Sequence, residues 1–252
     1  MSEPAAPTAA VLVIGNEILS GRTKDVNLGF LAEQLTRLGV RLREARVVSD
    51  VEDEIVRAVD ETRRRYDYVF TTGGIGPTHD DITAGSVARA FGVPLIRDPR
   101  AVALLERHYQ PGQLNEARLR MAEIPEGSIL IDNPVSAAPG FQIGNVFVMA
   151  GVPAIMQAMF GGLKQRLVGG PPILSRTVSA YIAEGTIAAG LAALQQRHPE
   201  LEIGSYPFFR QGRFGGSFVL RGTDAAALAT AADALKALIR ELGAEPIELD
   251  PA

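Results

Sequence analysis

Hydrophobic positions along the chain change period in a regular way. Ala9 to Gly15 is an uninterrupted apolar run of strand length ending on glycine, the pattern of a strand buried on both faces. A polar, glycine-punctuated loop from Asn16 to Arg22 follows, and then Leu28, Leu31, Leu35 and Leu38 recur at helical spacing until Gly39. Val40 to Val48 reads as a second strand, closed by Ser49 and Asp50. Val51, Ile55 and Val59 then mark the inner face of a helix running to Arg65, with Glu52, Asp53, Arg57, Glu61 and Arg64 on its outer face. Tyr68 to Thr72 is a third strand and Ile82 to Phe91 a third helix, apolar at Ile82, Ala84, Val87, Ala88 and Phe91. Three strand–helix alternations predict a parallel sheet covered on both faces, a three-layer α/β/α arrangement, with strand C-termini along one edge.

After Pro94 the pattern is less regular. Ala101 to Gln110 and Leu114 to Glu123 read as helices separated by Pro111-Gly112, and Ser128 to Ile131 as a short strand. Phe141 to Ile143 and Val146 to Met149 flank a two-residue Gly-Asn turn, which predicts a hairpin. Ala150-Gly151-Val152-Pro153 opens a helix over 154–167, Pro153 suiting its first turn. Gly169-Gly170-Pro171-Pro172 reads as a linker between domains 9–168 and 173–252, after a lead-in at 1–8. The second domain predicts strand 175–182, helix 185–198, a hairpin from 202–209 and 217–221, helix 225–242 and strand 246–249. That is the β-α-β-β-α-β order of a small α+β ferredoxin-like fold. Phe208, Phe209 and Phe214 look exposed on the hairpin; they cover either a partner surface or the small domain's own core, and the core is the favoured reading.

Composition narrows the function classes. Of 252 residues, 46% are hydrophobic and 21% charged, and the net charge of -4 gives no footprint for nucleic acid or anionic membrane. The absence of cysteine excludes disulfides, thiolate–zinc sites and a cysteine nucleophile, and agrees with a cytoplasmic setting. No apolar run approaches the ~18 residues of a membrane span.

Candidate chemistry centres on the turn after the third strand. Gly73, Gly74 and Gly76 allow positive φ and a close approach of backbone N–H groups to an anion, while Asp80 and Asp81 call for a cation beside it. Glu17, Asp50 and Asp81 each follow a strand C-terminus, so the topology predicts three carboxylates at one sheet edge, where α/β proteins bind ligands. Two readings of Asp81 stay open: site carboxylate, or partner of Thr78 in a capping box. His79 is a lone histidine in a polar loop. The glycine spacing is neither G-x-G-x-x-G nor a P-loop, which argues against a dinucleotide redox enzyme and a P-loop NTPase. Gly212-Arg213-Phe214-Gly215 has the spelling of an RNA-binding G-x-x-G loop but joins two strands, so a hairpin turn is the simpler reading.

Four motifs in order carry a resemblance: Gly15-Asn16-Glu17-Ile18-Leu19-Ser20-Gly21, Thr72 to Thr83, Asn133-Pro134-Val135 with Ala138-Pro139-Gly140, and Ala150-Gly151-Val152-Pro153. Over roughly 9–168 the chain resembles the MoaB/Mog molybdopterin-binding domain, in its version from competence/damage-inducible protein A (CinA) and the N-terminus of eukaryotic FAD synthases. Gly204-Ser205-Tyr206-Pro207 is similar to the small domain that follows in that branch. The resemblance implies a pterin or nucleotide ligand and divalent-metal-dependent hydrolysis of a nucleotide pyrophosphate of the ADP-ribose or FAD type. The alternative is a non-catalytic molybdopterin or nucleotide binder. The resemblance implies catalytic roles for Asp50 and Asp81; with the sheet-edge topology, the hydrolase reading expects Glu17, Asp50 and Asp81 as metal ligands and Asp80 as a secondary ligand or a solvated helix-start charge, with Mg²⁺, Mn²⁺ or Co²⁺ and K⁺ as candidate ions. Ligand contacts are expected from Gly15, Asn16, Gly73, Gly74, Gly76, Pro77, Thr78, Asn133, Pro139, Gly140, Gly151 and Pro153, and a homo-oligomer, dimer or trimer, is expected. Two departures bear on the site: Ser136-Ala137 stands where the family has Gly-Thr, and Ala154-Ile155 where it often has Ser-Glu.

Overall fold

A computed structural model describes residues 6–210 and 212–249, which divide into two compact units on either side of Gly170 and Pro171. Of the lead-in expected at 1–8, residues 1–5 lie outside the described residues. Thr8 already belongs to the first strand, its N–H and hydroxyl bonded to the Asp67 carboxylate at 2.7 and 2.8 Å.

The first unit runs β1 (Thr8–Ile14), α1 (Asn16–Leu19), α2 (Asn27–Arg37), β2 (Arg41–Val48), α3 (Glu52–Arg65), β3 (Tyr68–Thr72) and α4 (Thr83–Phe91). It continues through β4 (Leu95–Arg97), α5 (Pro99–His108), α6 (Glu116–Leu119), β5 (Glu123–Pro125), β6 (Ile129–Ile131), β7 (Gly140–Ile143), β8 (Val146–Met149) and α7 (Pro153–Leu163). Its main sheet has the order β2-β1-β3-β8-β7-β6. The first four strands in that order are mutually parallel, and β7 and β6 join antiparallel.

Alternation along the buried strands divides the core into two layers. Ala9, Val11, Val13, Phe70, Phe147 and Met149 pack against Leu31 and Leu35 of α2 and Met156, Met159, Phe160 and Leu163 of α7. Leu12, Ile14, Val69, Val146 and Val148 face Ile55, Ala58 and Val59 of α3 and Val87 and Ala90 of α4. The near-continuous apolar runs of β1 and β8 are therefore required by burial on both faces. Phe70 stacks on Phe147 at 5.2 Å between centroids, which fixes β3 beside β8 in the middle of the sheet.

The irregular stretch departs from the pattern reading. The helix expected over 114–123 is limited to α6, capped by the Asn115 side chain on the Arg118 N–H. A 3-10 turn, Arg120–Ala122, and β5 follow. β5 pairs with β4 as a separate two-stranded ribbon, held by Arg97 on Glu116 and Glu123 at 3.1 and 2.9 Å. The glycines of the expected linker are not free spacers either: a methyl group at Gly169 would run into the Leu38 carbonyl, so Gly169 belongs to the packing of the first unit.

The second unit contains β9 (Leu174–Ala180), α8 (Glu184–Arg197), β10 (Glu202–Arg210), β11 (Arg213–Gly222), α9 (Ala225–Glu241) and β12 (Ile247–Leu249). The sheet order β10-β11-β9-β12, antiparallel throughout, is that of the expected ferredoxin-like fold. Its core is Val178, Ile187, Leu194, Phe218, Leu220, Leu228, Leu235 and Ile239. Phe209 and Phe214 are not part of it. They are 60% and 75% exposed and pack on each other at 4.7 Å, because they sit at the hairpin tip beyond the reach of either helix. Among the described residues no helix is long and apolar enough to cross a membrane.

Candidate functional site

Parallel pairing of β1, β2, β3 and β8 brings Gly15, Asp50, Gly73 and Gly151 to one sheet edge. Gly73 sits at φ +102 with its N–H on the Met149 carbonyl at 3.1 Å, and a methyl group there would overlap the Ile14 carbonyl oxygen. Only glycine lets the chain leave β3 so close to β1. Thr83, fully buried at the start of α4, closes the turn from the other side: its hydroxyl donates to the Gly73 carbonyl at 3.0 Å and its N–H to that of Gly74 at 3.0 Å. The N–H groups of Gly74, Ile75 and Gly76 make no hydrogen bond to the described residues, and Pro77 has none to give. Three successive donors are thus left without a protein partner at the end of β3.

The carboxylates are held locally. Asp50 accepts the Asn16 N–H at 2.7 Å, and Asn16 Oδ1 accepts the Asp50 N–H at 3.4 Å, so these two residues lock the ends of β1 and β2 together. Asp81 accepts the Thr78 N–H at 2.8 Å and hydroxyl at 2.6 Å, and a methyl group at Gly76 would stand 2.6 Å from Asp81 Oδ2. This is half a capping box on a turn that precedes the helix. α4 itself begins at Thr83 after Ile82, which makes no side-chain cap. Asp80 lies exposed at the tip, its carboxyl held below the usual carboxylate range first by the Thr78 hydroxyl and then by its own N–H and by His79. The Thr78 hydroxyl has one proton and its geometry places it on Asp81, so the two aspartates compete for it. His79 is 96% exposed. Glu17 folds back over Gly15, whose added methyl would come 2.5 Å from both carboxylate oxygens.

The expected convergence of Glu17, Asp50, Asp80 and Asp81 on one ion is therefore not built into the fold. Among the described residues no three His, Asp or Glu side chains come together to hold a metal. Asp50 is engaged with Asn16 and Asp81 with Thr78, while Glu17 and Asp80 are exposed. The arrangement does not fit a pre-assembled divalent-metal centre.

The other motifs frame the crevice. Asn133, buried, accepts the Val135 and Ser136 N–H groups at 3.1 Å each and donates to Ser136 Oγ and the Ala138 carbonyl at 2.7 and 2.8 Å, so its whole side chain shapes the 133–138 loop. Within that loop Ala137 takes φ +58, an uncommon left-handed state for a residue with a side chain. Pro139 and Phe141 line a cavity of about 370 Å³ together with Gly74, Ile75, Gly76 and Asp81. Gly140 lies between them where β7 meets β8, with Met159 directly over it. Gly151 accepts a 2.8 Å hydrogen bond from Asn27 Nδ2, and Pro153 opens α7.

Residues 10–169 match the family described as "Probable molybdopterin binding domain". The chain belongs to that family. Residues 172–246 match a second family, "FAD synthase, middle domain". This molybdopterin-binding-domain chain is 34% identical to a protein of Aeropyrum pernix over 97% of its own length and 98% of the relative's. It is 36% identical to a CinA-like protein of Gloeobacter violaceus, covering 73% of this chain and 46% of that one, so it spans about half of that CinA-like relative. A solved structure of CinA from Thermoplasma acidophilum, titled as of unknown function, shares 38% identity with a TM-score of 0.61, covering 64% of this chain and 98% of that one. The CinA-like character read from the four motifs is shown by these matches.

Residues of the CinA-like chain that the motif reading left out also shape the site. Asn27, the first residue of α2, is 4% exposed and ties that helix to Gly151. A buried asparagine at a helix start is also what capping preferences produce, so spacing alone gave no reason to single it out. Thr83 was placed in the motif without a role, and Arg120 and Met121 enter the cavity from the 3-10 turn that the helical reading had obscured.

Proposed function

We propose that the chain binds a phosphorylated nucleotide or pterin, of the ADP-ribose, FAD or molybdopterin class, in the crevice at the C-terminal edge of the main sheet. The observation that carries this reading is the cavity of about 370 Å³ lined by Gly74, Ile75 and Gly76, whose N–H groups are undonated, together with Pro139 and Phe141. That volume falls in the range of small-molecule sites. The N–H groups offer a phosphate three donors, and Ile75, Ile82 and Phe141 offer apolar surface to a ring.

A second reading is hydrolysis of a nucleotide pyrophosphate, favoured by the fixed Asp50 and Asp81 carboxylates. Each uses Oδ2 for its local hydrogen bonds and leaves Oδ1 without a partner among the described residues. A carboxylate so held can take the proton of a water that attacks phosphorus as the bridging P–O bond breaks. Titration calorimetry with ADP-ribose, FAD and molybdopterin tests binding. Incubation with ADP-ribose or FAD and Mg²⁺, Mn²⁺ or Co²⁺, with and without K⁺, followed for AMP, tests turnover. No binding of any of the three removes the first reading; binding without AMP under any condition, or full turnover by Asp81→Asn, removes the second. A homo-oligomer, to be read by light scattering, and a cytoplasmic setting, to be read by cell fractionation, complete the proposal.

A further inference from the structure

We propose that Arg120 anchors a second phosphate, so that this cavity selects ligands carrying a diphosphate over ligands carrying a single phosphate. The inference rests on the reading of the glycine turn as the first phosphate site. Four charged side chains line the cavity: Glu52, Asp81, Arg120 and Glu123. Three already have partners. Glu52 lies 3.0 Å from Arg89, Glu123 lies 2.9 Å from Arg97, and Asp81 holds both polar hydrogens of Thr78. The Arg120 guanidinium alone has no hydrogen-bond or ion-pair partner among the described residues. A guanidinium offers five donors in a planar fork suited to two oxygens of one phosphate.

The backbone that carries it is firmly placed. Arg120 opens the 3-10 turn whose Ala122 is fully buried and accepts the Asp98 N–H at 2.9 Å, and the ribbon below is clamped by Arg97 on Glu116 and Glu123. Arg120 and the three residues of the glycine turn line the same cavity, with Leu95, Met121 and Ile124 supplying apolar surface to it. One phosphate on the turn leaves an uncompensated cation for a second.

Calorimetric titration of the full chain with ADP and with AMP, which differ by one phosphate, tests the assignment in wild type, Arg120→Ala and Arg120→Lys. Wild type is expected to bind ADP roughly ten- to hundredfold more tightly than AMP, the scale of a charge-assisted hydrogen-bond pair. Arg120→Ala should abolish that preference without changing AMP affinity, and Arg120→Lys should retain part of it. Arg120 is exposed, and circular dichroism will verify that the variants fold. An ADP preference that survives Arg120→Ala, or equal loss for ADP and AMP, would overturn the proposal. Wild-type binding without preference would overturn it alone, whereas no binding of either nucleotide would overturn the reading of the turn as well.

Discussion

Replacing Gly73 by alanine puts the most stringent load on the account of the turn. Its φ of +102 lies outside the allowed regions of residues with a side chain, and the new methyl group would overlap the Ile14 carbonyl oxygen. Retreat is blocked on two sides. The Gly73 N–H is tied to the Met149 carbonyl at 3.1 Å, and a methyl group at Gly151 would already lie 3.2 Å from the Gly73 Cα. Ile14 is held by β1 pairing on both flanks, in register with Val48, and Gly15 N–H bonds the Val48 carbonyl at 3.1 Å. A left-handed conformation costs about 1–2 kcal/mol and overpacking about 1–3 kcal/mol, which together give about 2–5 kcal/mol of lost stability. Gly29→Ala is the control: it lies exposed in α2 with nothing near its Cβ position, and should gain about 0.5–1 kcal/mol. Urea unfolding followed by circular dichroism measures both. If Gly73→Ala lies within 1 kcal/mol of wild type, the close packing of β3 on β1 at this edge is wrong.

Two further outcomes follow from side chains that shape the site without touching a ligand. Asn133→Ala removes four hydrogen bonds from a buried loop, with a loss of about 2–3 kcal/mol by the same unfolding measurement. Asp98 caps α5 through the Arg100 N–H at 2.8 Å and pairs with the Arg100 guanidinium at 2.6 Å, so Asp98→Ala should cost about 0.5–2 kcal/mol at neutral pH. The Arg100 side chain first, with backbone N–H groups and charge attraction after it, holds the Asp98 carboxyl below the usual carboxylate range. Its stabilisation is therefore complete above the unfolded value near pH ~4 and is lost as pH falls through it toward the lower folded value. Thermal melts from pH 7 to pH 3 should show Asp98→Ala converging on wild type at the acid end; a constant gap would contradict the assignment.

Much of the first unit was legible because burial on both faces leaves so few choices. The apolar run of β1 and the leucine spacing of α2 each admit one element type, and Gly39 marks where the turn must come. The same physics explains why β4, β5 and the 3-10 turn were not legible. They are three residues long, and their pairing is set by Arg97 reaching Glu116 and Glu123, contacts with no period in the sequence. Arg120 was hidden by the same misreading, since a helix over 114–123 would have made it one more solvated charge. Topology correctly brought Asp50 and the glycine turn to one edge. It could not say where the carboxylates would spend their hydrogen bonds, and Asn16 decides that for Asp50 and Thr78 for Asp81. For the hairpin phenylalanines the sequence leaves core and partner surface both open with core favoured, and their place at the hairpin tip leaves Phe209 and Phe214 exposed.

The most direct measurement of the central claim is a two-dimensional nitrogen–proton spectrum of glycine-labelled protein titrated with ADP-ribose. The Gly74 and Gly76 amides are expected to shift first and furthest, since they are unused donors of residues that line the cavity, while Gly92 and Gly112, which do not line it, stay in place. Shifts confined to glycines away from the 73–76 turn, or no shift at any glycine while calorimetry reports binding, would contradict it.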